Sequence, residues 1–275
     1  MDKTKALELA AKAKEIRYHT MDTIGTLGVG HVGGCLSIAD VLAVLYYDKM
    51  NIDPKNPKME GRDRLVVSKG HAGPAVYATL ALKGFFPMEW LKTLNQPETN
   101  LPSHCDMNKT PGIDMTAGSL GQGISCAVGI AKGSKLRKDG ATVYCVVGDG
   151  ESQEGQVWEA SMTAAQNKLD NFILFLDYNK MQIDGTIDEI NDLIDPCAKW
   201  AAFGFNTFNV EDGHSVEAIS AAIDTAKSLK NGKPNAIILN TTKGKGVSYI
   251  EAAGFGNHNM TISAEQKEQA LNELK

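Results

Sequence analysis

Residues 146–160 read VVGDGESQEGQVWEA, a stretch in which an apolar run ends at a carboxylate between two glycines. The run begins at Thr142, and Asp149 is the first side chain after it that can hold a charge. Asp and Gly are common turn residues for steric reasons, so a simple turn explains the stretch. The alternative is a metal-assisted anion site at the end of a buried strand. The rest of the sequence has to decide between these two interpretations.

The residues from position 141 onward alternate between short apolar runs and amphipathic stretches. The pattern predicts strands at 141–147, 172–178, 206–210 and 235–241, separated by helices at 155–167, 197–202 and 216–230. Strands that alternate with helices form a parallel sheet whose two faces are both covered by helices. The sequence therefore predicts an α/β fold that is doubly wound around a mostly parallel sheet.

The first half of the chain is richer in loops, and residues 95–123 are expected to be mainly irregular. Apolar spacing and punctuation residues predict the following elements: a helix over Ala6–Thr20, a helix that starts with a capping box at Ser37 and includes Leu45, a short apolar segment at 65–68, a helix between Pro74 and Gly84, and a helix over Gly121–Lys138. No linker, repeat or low-complexity tract divides the chain. We therefore expect one domain over residues 1–275.

A stripe of small residues, Gly121, Ser125, Gly129 and Gly133, runs along the last of these helices. Small residues reduce helix propensity, so tight packing against another helix is the expected compensation. That second helix can belong to the same domain or to another chain, and the sequence does not distinguish the two.

The composition is typical of a globular protein and argues against several functional classes. A net charge of −5 does not favour nucleic-acid binding, which calls for a basic patch. The five cysteines are scattered without a C-x-x-C pair, a pattern that favours reduced thiols over a disulfide framework or a zinc site. The charged start is unlike a signal peptide, and no apolar run approaches the roughly 18 residues of a membrane span. We expect a cytoplasmic protein that binds neither nucleic acid nor membrane.

Asp149 and Asn179 follow two consecutive predicted strands. Ligands of parallel sheets bind at the carboxyl ends of the strands, where side chains from neighbouring strand ends come close together. Mg²⁺ prefers oxygen ligands and commonly takes one or two protein carboxylates, with phosphate and water completing its shell. Asp149, Asn179 and a backbone carbonyl near Met181 could supply part of such a shell. Two ordinary turns explain the same residues about equally well at this point.

Six motifs give the sequence a resemblance to transketolases, and they occur in the order found in that family. GDGESQEG, with Asn179 thirty residues after Asp149, resembles the family's thiamine diphosphate motif. The other five resemble its histidine segments, its diphosphate-proximal loop and its last strand and loop: GHVGGCLS, RDRLVVSKGHA, LPSHCD, TAGSLGQGIS and TTKGKGVSYIE. The resemblance runs from about residue 10 to residue 260. It implies the thiamine diphosphate-binding fold and a thiamine-dependent transferase that moves a two-carbon ketol unit from a ketose to an aldose.

The resemblance also implies a role for individual residues. It implies that Asp149, Asn179 and the Met181 carbonyl bind Mg²⁺. The residues implied to contact thiamine diphosphate are His71, Gly118, Ser119, Leu120, Asp149, Gly150, Asn179 and His258. The residues implied to be catalytic are four histidines: His31, His71, His104 and His258. Imidazoles suit proton transfer to and from sugar hydroxyls at neutral pH.

Two positions depart from the family pattern. Val32 stands where a proline is usual, and His258 lies in GFGNHNMTIS instead of the usual Trp-His-Gly or His-Gly. His19 and His214 match no motif, so we expect them to be structural or surface residues, and we expect the same of the cysteines.

A full transketolase continues for hundreds of residues beyond the region that these motifs cover. The resemblance therefore implies that the pyrimidine-binding half lies on a partner chain, the C-terminal transketolase subunit, in an α2β2 hetero-tetramer. Sugar phosphates are the expected substrates, with specificity largely in that partner. Glu151 and Glu154 are expected to have packing or subunit-contact roles, because a Mg²⁺–diphosphate pair needs few protein carboxylates.

Two other functions remain open for this sequence. One is a related thiamine-dependent synthase of the deoxyxylulose-phosphate type, which decarboxylates pyruvate. The other is a non-catalytic subunit that binds thiamine diphosphate and regulates a partner. A nucleotide-binding function is disfavoured, because there is no G-x-x-x-x-G-K-[ST] motif and no G-x-G-x-x-G between a strand and a helix.

Overall fold

A central five-stranded sheet organises the computed structural model, which describes residues 1–275. Seven strands are present: β1 Val29–Gly30, β2 Arg64–Val67, β3 Val143–Gly148, β4 Phe172–Tyr178, β5 Asn206–Val210, β6 Asn235–Asn240 and β7 Met260–Thr261. The central sheet has the order β2-β3-β4-β6-β5, and all neighbouring strands in it are parallel. The remaining strands, β1 and β7, pair antiparallel as a separate ribbon. The predicted mostly parallel sheet is confirmed.

Helices surround the sheet. They are α1 Lys3–Leu27, α2 Gly33–Leu36, α3 Ala39–Val44, α4 Gly73–Lys83, α5 Gln122–Arg137, α6 Gly155–Gln166, α7 Ile187–Ile190, α8 Pro196–Ala202, α9 Val216–Ser228, α10 Ser248–Ala252 and α11 Ala264–Glu273. Short turns of 3₁₀-helix occur at Gly70–Ala72, Met88–Thr93, Glu151–Gln153 and Gly254–Asn257, and a π-helical turn occurs at Leu45–Lys49. A helix long and apolar enough to cross a membrane does not occur in the fold.

Alternation along the strands divides the core between the two faces of the sheet. In β3, Tyr144 and Val146 belong to a core with residues of α1, α3, α4 and α9. Val143, Cys145 and Val147 point the other way, into a core with residues of α5, α6 and α8. Successive side chains of a strand point to opposite faces, so a strand buried on both sides has to be apolar throughout. The predicted doubly wound arrangement is thus confirmed.

Local sequence explains where the predicted elements begin and end. The four strands and three helices predicted from residue 141 onward are all present, each within two residues of its expected bounds. Helix α4 starts with Pro74 in its first turn and ends at Gly84, whose φ of 92° is the left-handed conformation that favours glycine. Helix α1 continues past Thr20 to Leu27, because Ile24 is still fully buried.

The capping box predicted at Ser37 is wrong. Helix α3 begins at Ala39, and no side chain caps it. The Ser37 hydroxyl instead donates a hydrogen bond of 2.7 Å to the Asp177 carboxylate, at the far end of strand β4. The short helix α2 in the glycine-rich segment was not predicted. The helix can pack against Asn257 because position 33 is a glycine: a Cβ there would lie only 2.0 Å from Asn257 Oδ1.

Two glycines of the small-residue stripe on α5 are not packed inside this chain, whereas Gly121 and Ser125 contact Glu154 and Gln156. Gly129 has no other group within 4 Å of its Cβ position, and Gly133 meets only the end of the Arg137 side chain, at 3.5 Å. The interior-packing alternative is therefore wrong for these two glycines. A contact of the stripe with another chain stays a prediction.

Candidate active site

Four strands of the central sheet end around one cavity of about 270 Å³. The residues that follow β2, β3, β4 and β6 supply Lys69, Asp149, Asn179 and Lys243 to its wall. Of the residues predicted to bind cofactor or metal, seven line this cavity: His71, Leu120, Asp149, Gly150, Asn179, Met181 and His258. The structure therefore brings together, at the carboxyl ends of the strands, seven of the residues that were predicted to bind cofactor or metal.

Asp149 is nearly inaccessible to solvent, with 2% of its surface exposed. Its carboxylate oxygens accept hydrogen bonds from the backbone N–H of Gly150 at 2.8 Å and of Lys180 at 2.5 Å. Burial, with a contribution from nearby Asp177, raises the pKa of Asp149 to about 7. A bound cation would offset both effects and favour the ionised carboxylate.

Asn179 sits beside Asp149 in the turn after the next strand. Its amide nitrogen donates to Asp177 Oδ2 at 2.9 Å, and its amide oxygen accepts from the Met181 N–H at 3.1 Å. Lys180, whose N–H donates to Asp149, lies between Asn179 and Met181 in the chain. This hydrogen bond joins the ends of β3 and β4 directly. There is no group of three or more His, Cys, Asp or Glu side chains arranged to hold a metal. A metal here would depend on one carboxylate with amide and carbonyl oxygens, the kind of ligands that Mg²⁺ prefers.

Under this turn lies a buried ion pair that the sequence analysis missed. Lys69 and Asp177 are 2% and 0% exposed, and Lys69 Nζ lies 2.6 Å from Asp177 Oδ2. Asp177 also accepts hydrogen bonds from Ser37, Asn179 and Thr241. Burial alone would raise the pKa of Asp177, but the Lys69 ammonium holds that pKa below its ordinary value. The one available signal was a carboxylate inside the otherwise apolar run FILFLDY.

Lys243 is a second functional candidate that the sequence analysis did not single out. Its ammonium donates to the carbonyls of Gln182 at 3.0 Å and Met181 at 3.3 Å, and it lies 3.2 Å from His258 Nδ1. Burial lowers the pKa of Lys243 to about 8. The ammonium gives the cavity a positive charge opposite Asp149. Its position after the last strand, in TTKGKG, was the signal that could have identified it.

The four predicted histidines lie together, and two of them, His71 and His258, line the cavity. The ring centroid of His31 is 5.3 Å from that of His71, 5.6 Å from that of His104 and 5.4 Å from that of His258. Burial lowers the pKa of all four, well below the ordinary value for His71 and to about 4 for His258, which also faces Lys243. The rings are therefore neutral at physiological pH and able to accept protons from hydroxyl groups.

Gly118 and Ser119 lie on an exposed loop next to Leu120 and do not line the cavity. Glu151 points into the protein, where it accepts hydrogen bonds from Ser68 Oγ and from the N–H groups of Gly121 at 2.8 Å and Gly148 at 3.1 Å. These contacts fit the packing role expected of Glu151. The side chain of Glu154 is exposed and lies against Gly121.

The remaining histidines lie outside the cavity. His19 is half-buried and packs edge-on against Tyr18, and His214 is paired with Asp40. All five cysteines are free, and three of them, Cys35, Cys105 and Cys145, are buried. Burial raises the pKa of these three thiols, which makes them unreactive.

Comparison with known proteins finds relatives of the same family by sequence and by structure. A family model described as transketolase, thiamine diphosphate binding domain, matches residues 9–274. The 6-deoxy-6-sulfo-D-fructose transketolase subunit SqwG of a Clostridium species is 54% identical over 98% of this chain and 97% of its own length. One of the apulose-4-phosphate transketolase subunits, from Phocaeicola vulgatus, is 39% identical over 97% of this chain and 93% of its own length.

Solved structures extend the comparison to longer chains. The transketolase from Leishmania mexicana is 30% identical, with a TM-score of 0.88 over 95% of this chain. The transketolase from Campylobacter jejuni is 33% identical, with a TM-score of 0.87 over 97% of this chain. This chain spans only 40% and 42% of those two proteins.

Proposed function

The chain belongs to the transketolase family, and we propose on that basis that it is the thiamine diphosphate-binding subunit of a split transketolase. The observation that carries this proposal is the meeting of Asp149 and Asn179 at two neighbouring strand ends, below a cluster of four neutral histidines. The assembled enzyme transfers a two-carbon ketol unit from a ketose donor to an aldose acceptor.

The residues around the cavity fit Mg²⁺ and thiamine diphosphate. Asp149 is a buried carboxyl group whose pKa is raised to about 7, so a divalent cation is a suitable counter-charge for it. We assign Asn179 and the Met181 carbonyl as the other protein ligands of the metal. Lys243 and the backbone at Gly150 face the same space and suit the diphosphate, since glycine lets an anion approach the backbone closely. The absence of a larger acidic cluster agrees with a metal that takes most of its ligands from phosphate and water.

The chain's own contribution to the chemistry is to bind the cofactor, orient the sugar and handle protons. Thiamine diphosphate, when bound, supplies the carbon nucleophile and the electron sink. His31, His104 and His258 are assigned to the sugar hydroxyls, and His71 to the border between sugar and diphosphate. Their lowered pKa values keep them neutral at pH 7, which is the state that can accept a hydroxyl proton.

A partner chain completes the site. This chain corresponds to nearly the whole of the subunit relatives but to 40% of a single-chain transketolase. We propose that residues 1–275 form the single diphosphate-binding domain and that a C-terminal transketolase subunit brings the pyrimidine-binding half, in an α2β2 assembly. The five free cysteines support a cytoplasmic location, because disulfides are rare there.

We propose a ketose with an anionic terminus as the donor. The higher identity to the sulfofructose enzyme subunit favours a terminal sulfonate, and the apulose-4-phosphate relatives make a sugar phosphate the second candidate. The two groups are both tetrahedral oxyanions. They differ in charge, because a sulfonate carries a single negative charge and a phosphate about −1.5 to −2 at pH 7.

Calorimetry of the assembled complex tests the proposal. Thiamine diphosphate should bind the complex of this chain with its C-terminal subunit in the presence of Mg²⁺, and the binding should weaken sharply without Mg²⁺ or in Asp149→Ala. A folded complex that binds the cofactor equally well in all three cases would contradict the assignment of the metal site.

Donor competition then tests the reaction. The complex is supplied with one aldose acceptor and with 6-deoxy-6-sulfofructose, a ketose phosphate and pyruvate as competing donors. We expect it to transfer two carbons from a ketose in preference to pyruvate. Preferential decarboxylation of pyruvate would instead support a deoxyxylulose-phosphate-type synthase. Cofactor binding without turnover of any donor would support a regulatory subunit.

A further inference from the structure

We propose that His214, held by the Asp40 carboxylate that Arg17 pairs, is a positioning residue that fixes the loop carrying Lys243 into the cavity. His214 lies outside the cavity and touches none of the residues assigned to cofactor or sugar. The inference rests on the proposed function, since it concerns how the cofactor cavity is kept in shape.

Three separate elements build the network around His214. Arg17 comes from α1 and Asp40 from α3, and they are 7% and 4% exposed. Arg17 binds Asp40 with two nitrogens, one of them 3.2 Å from Oδ1. His214, from the turn before α9, places Nδ1 2.7 Å from Asp40 Oδ2. Burial alone would raise the pKa of Asp40, but Arg17 holds that pKa below its ordinary value, so Asp40 is a fixed anionic acceptor.

The other ring nitrogen of His214 binds the backbone of the loop. The Thr242 N–H donates to His214 Nε2 at 2.8 Å. Nε2 must therefore carry no proton, and Nδ1 must carry the one that it donates to Asp40. Asp40 thus selects one tautomer of the ring, and only that tautomer can accept the Thr242 amide.

Thr242 precedes Lys243, so its position sets where the lysine begins. On the other side of it, Thr241 donates its hydroxyl to buried Asp177 and its N–H to the carbonyl of Tyr178 at 3.2 Å. After Lys243, the Lys243 carbonyl accepts a hydrogen bond from the Asn257 amide at 3.1 Å and the Gly244 N–H donates to the Gly33 carbonyl at 3.1 Å, so His214 holds the side of the lysine that these contacts do not. Without the His214 contact, the Thr242 N–H has no hydrogen-bond acceptor within this chain. The Lys243 ammonium, which reaches Gln182, Met181 and His258, would lose part of its alignment.

Two substitutions separate the contact to Thr242 from the contact to Asp40. An asparagine side chain places its amide near the position of Nδ1, so His214→Asn keeps a donor to Asp40 and cannot reach Thr242. A glutamine side chain extends to the position of Nε2, so His214→Gln can still accept the Thr242 N–H. We expect His214→Asn to raise the Kd for thiamine diphosphate in the assembled complex by about tenfold to 100-fold, as found for residues that orient ligand-binding groups. His214→Gln should recover most of that loss.

A double-mutant cycle and hydrogen exchange complete the test. In a Lys243→Met background, His214→Asn should change the Kd by less than about twofold, because the effect runs through the lysine. In the full chain without cofactor, the Thr242 amide should exchange faster in His214→Asn than in the wild type, and His214→Gln should stay protected.

The outcomes distinguish this inference from the proposed function. A wild-type complex that binds no thiamine diphosphate would overturn both. Normal wild-type binding with an unchanged Kd in His214→Asn would overturn the inference alone. Equal losses in the Asn and Gln variants, together with equal falls in unfolding temperature, would also overturn it, because His214 would then be a general packing residue.

Discussion

Replacing Asp149 with asparagine should affect stability and cofactor binding in opposite directions. Asn has nearly the shape of a protonated Asp but cannot ionise. Asp149 is buried, its pKa is raised to about 7, and its oxygens accept two backbone N–H groups. In the chain without metal, the ionised carboxylate is therefore a destabilising group that only a cation can make favourable.

The size of the stability effect follows from the pKa. A shift from the ordinary value of 3.8 to about 7 corresponds to about 4 kcal/mol in favour of the protonated form. Because the folded pKa is the higher one, this stability is present below pH 3.8 and is lost as the pH rises through 7. Asn does not lose it, but its NH₂ group faces one of the two backbone donors, which costs about 1–3 kcal/mol. We expect Asp149→Asn to be more stable than the wild type at pH 8 by about 1–3 kcal/mol.

Cofactor binding should change the other way. Loss of a residue that merely orients a metal ligand already costs about 10-fold to 100-fold in affinity. Removing the charged ligand itself should weaken Mg²⁺-dependent binding of thiamine diphosphate by more than about 100-fold.

Urea unfolding of the metal-free chain at pH 5 and pH 8, with calorimetry of the assembled complex, measures both effects. Asp224→Asn is the matched control, because Asp224 forms an exposed pair with Lys49 and should shift stability by no more than about 1 kcal/mol. An Asp149→Asn variant that binds Mg²⁺ and cofactor like the wild type would contradict the metal-ligand role. A stability difference between Asp149→Asn and the wild type that does not grow from pH 5 to pH 8 would contradict the predicted effect of the raised pKa.

Three further predictions concern buried acids and histidines. Glu151→Gln should destabilise the chain by about 1–3 kcal/mol in urea unfolding at pH 5, because three donors converge on the carboxylate and an amide can accept from only some of them. Burial raises the pKa of Glu151, so this loss should shrink at higher pH, and an unchanged midpoint at pH 5 would contradict the prediction. His104→Asn should lower kcat/KM by about 10²-fold to 10⁴-fold while the Kd for thiamine diphosphate stays the same, and retained turnover would remove His104 from the proton-transfer role. The pKa of His258 is lowered to about 4, so its neutral form adds stability above pH 6.5 that is lost as the pH falls towards 4. The difference in free energy of unfolding between the wild type and His258→Asn should therefore narrow or reverse over that range, and a constant difference would refute the prediction.

The sheet and the meeting of Asp149 and Asn179 at its edge could be predicted because their signals are local. Alternating apolar runs identify strands buried on both faces, and the strand-end rule then places Asp149 beside Asn179 without knowledge of any contact. Both conclusions use stretches of fewer than about ten residues and one general property of parallel sheets.

The support beneath the site could not be predicted because its contacts are distant in sequence. Lys69 and Asp177 are separated by 108 positions, and Ser37 and Asp177 by 140. The polar residues of such a network have ordinary local explanations, which is why Ser37 looked like a helix cap. His214 could be expected only to be a structural or surface residue for the same reason, since Asp40 is 174 positions away.

The charges around the cavity predict where sugar selectivity lies. Lys69 and Lys243 are the two lysines in its wall, which has no arginine. Lys69 is bound to Asp177, and Lys243 faces the space assigned to the diphosphate. The wall of this cavity therefore has no unpaired lysine or arginine for the anionic end of a sugar, and we expect the proposed partner subunit to supply one.

Exchanging the partner subunit for that of an apulose-4-phosphate enzyme should therefore move the donor preference from sulfonate towards phosphate by at least about tenfold in kcat/KM, since one charge-assisted hydrogen bond is worth about 1.5–3 kcal/mol. The Kd for thiamine diphosphate should change little, because the residues proposed to bind the metal and the diphosphate all stay on this chain. If the preference instead follows this chain when partners are exchanged, then its own cavity reads the sugar terminus, and the histidine cluster is the place to look for the determinant.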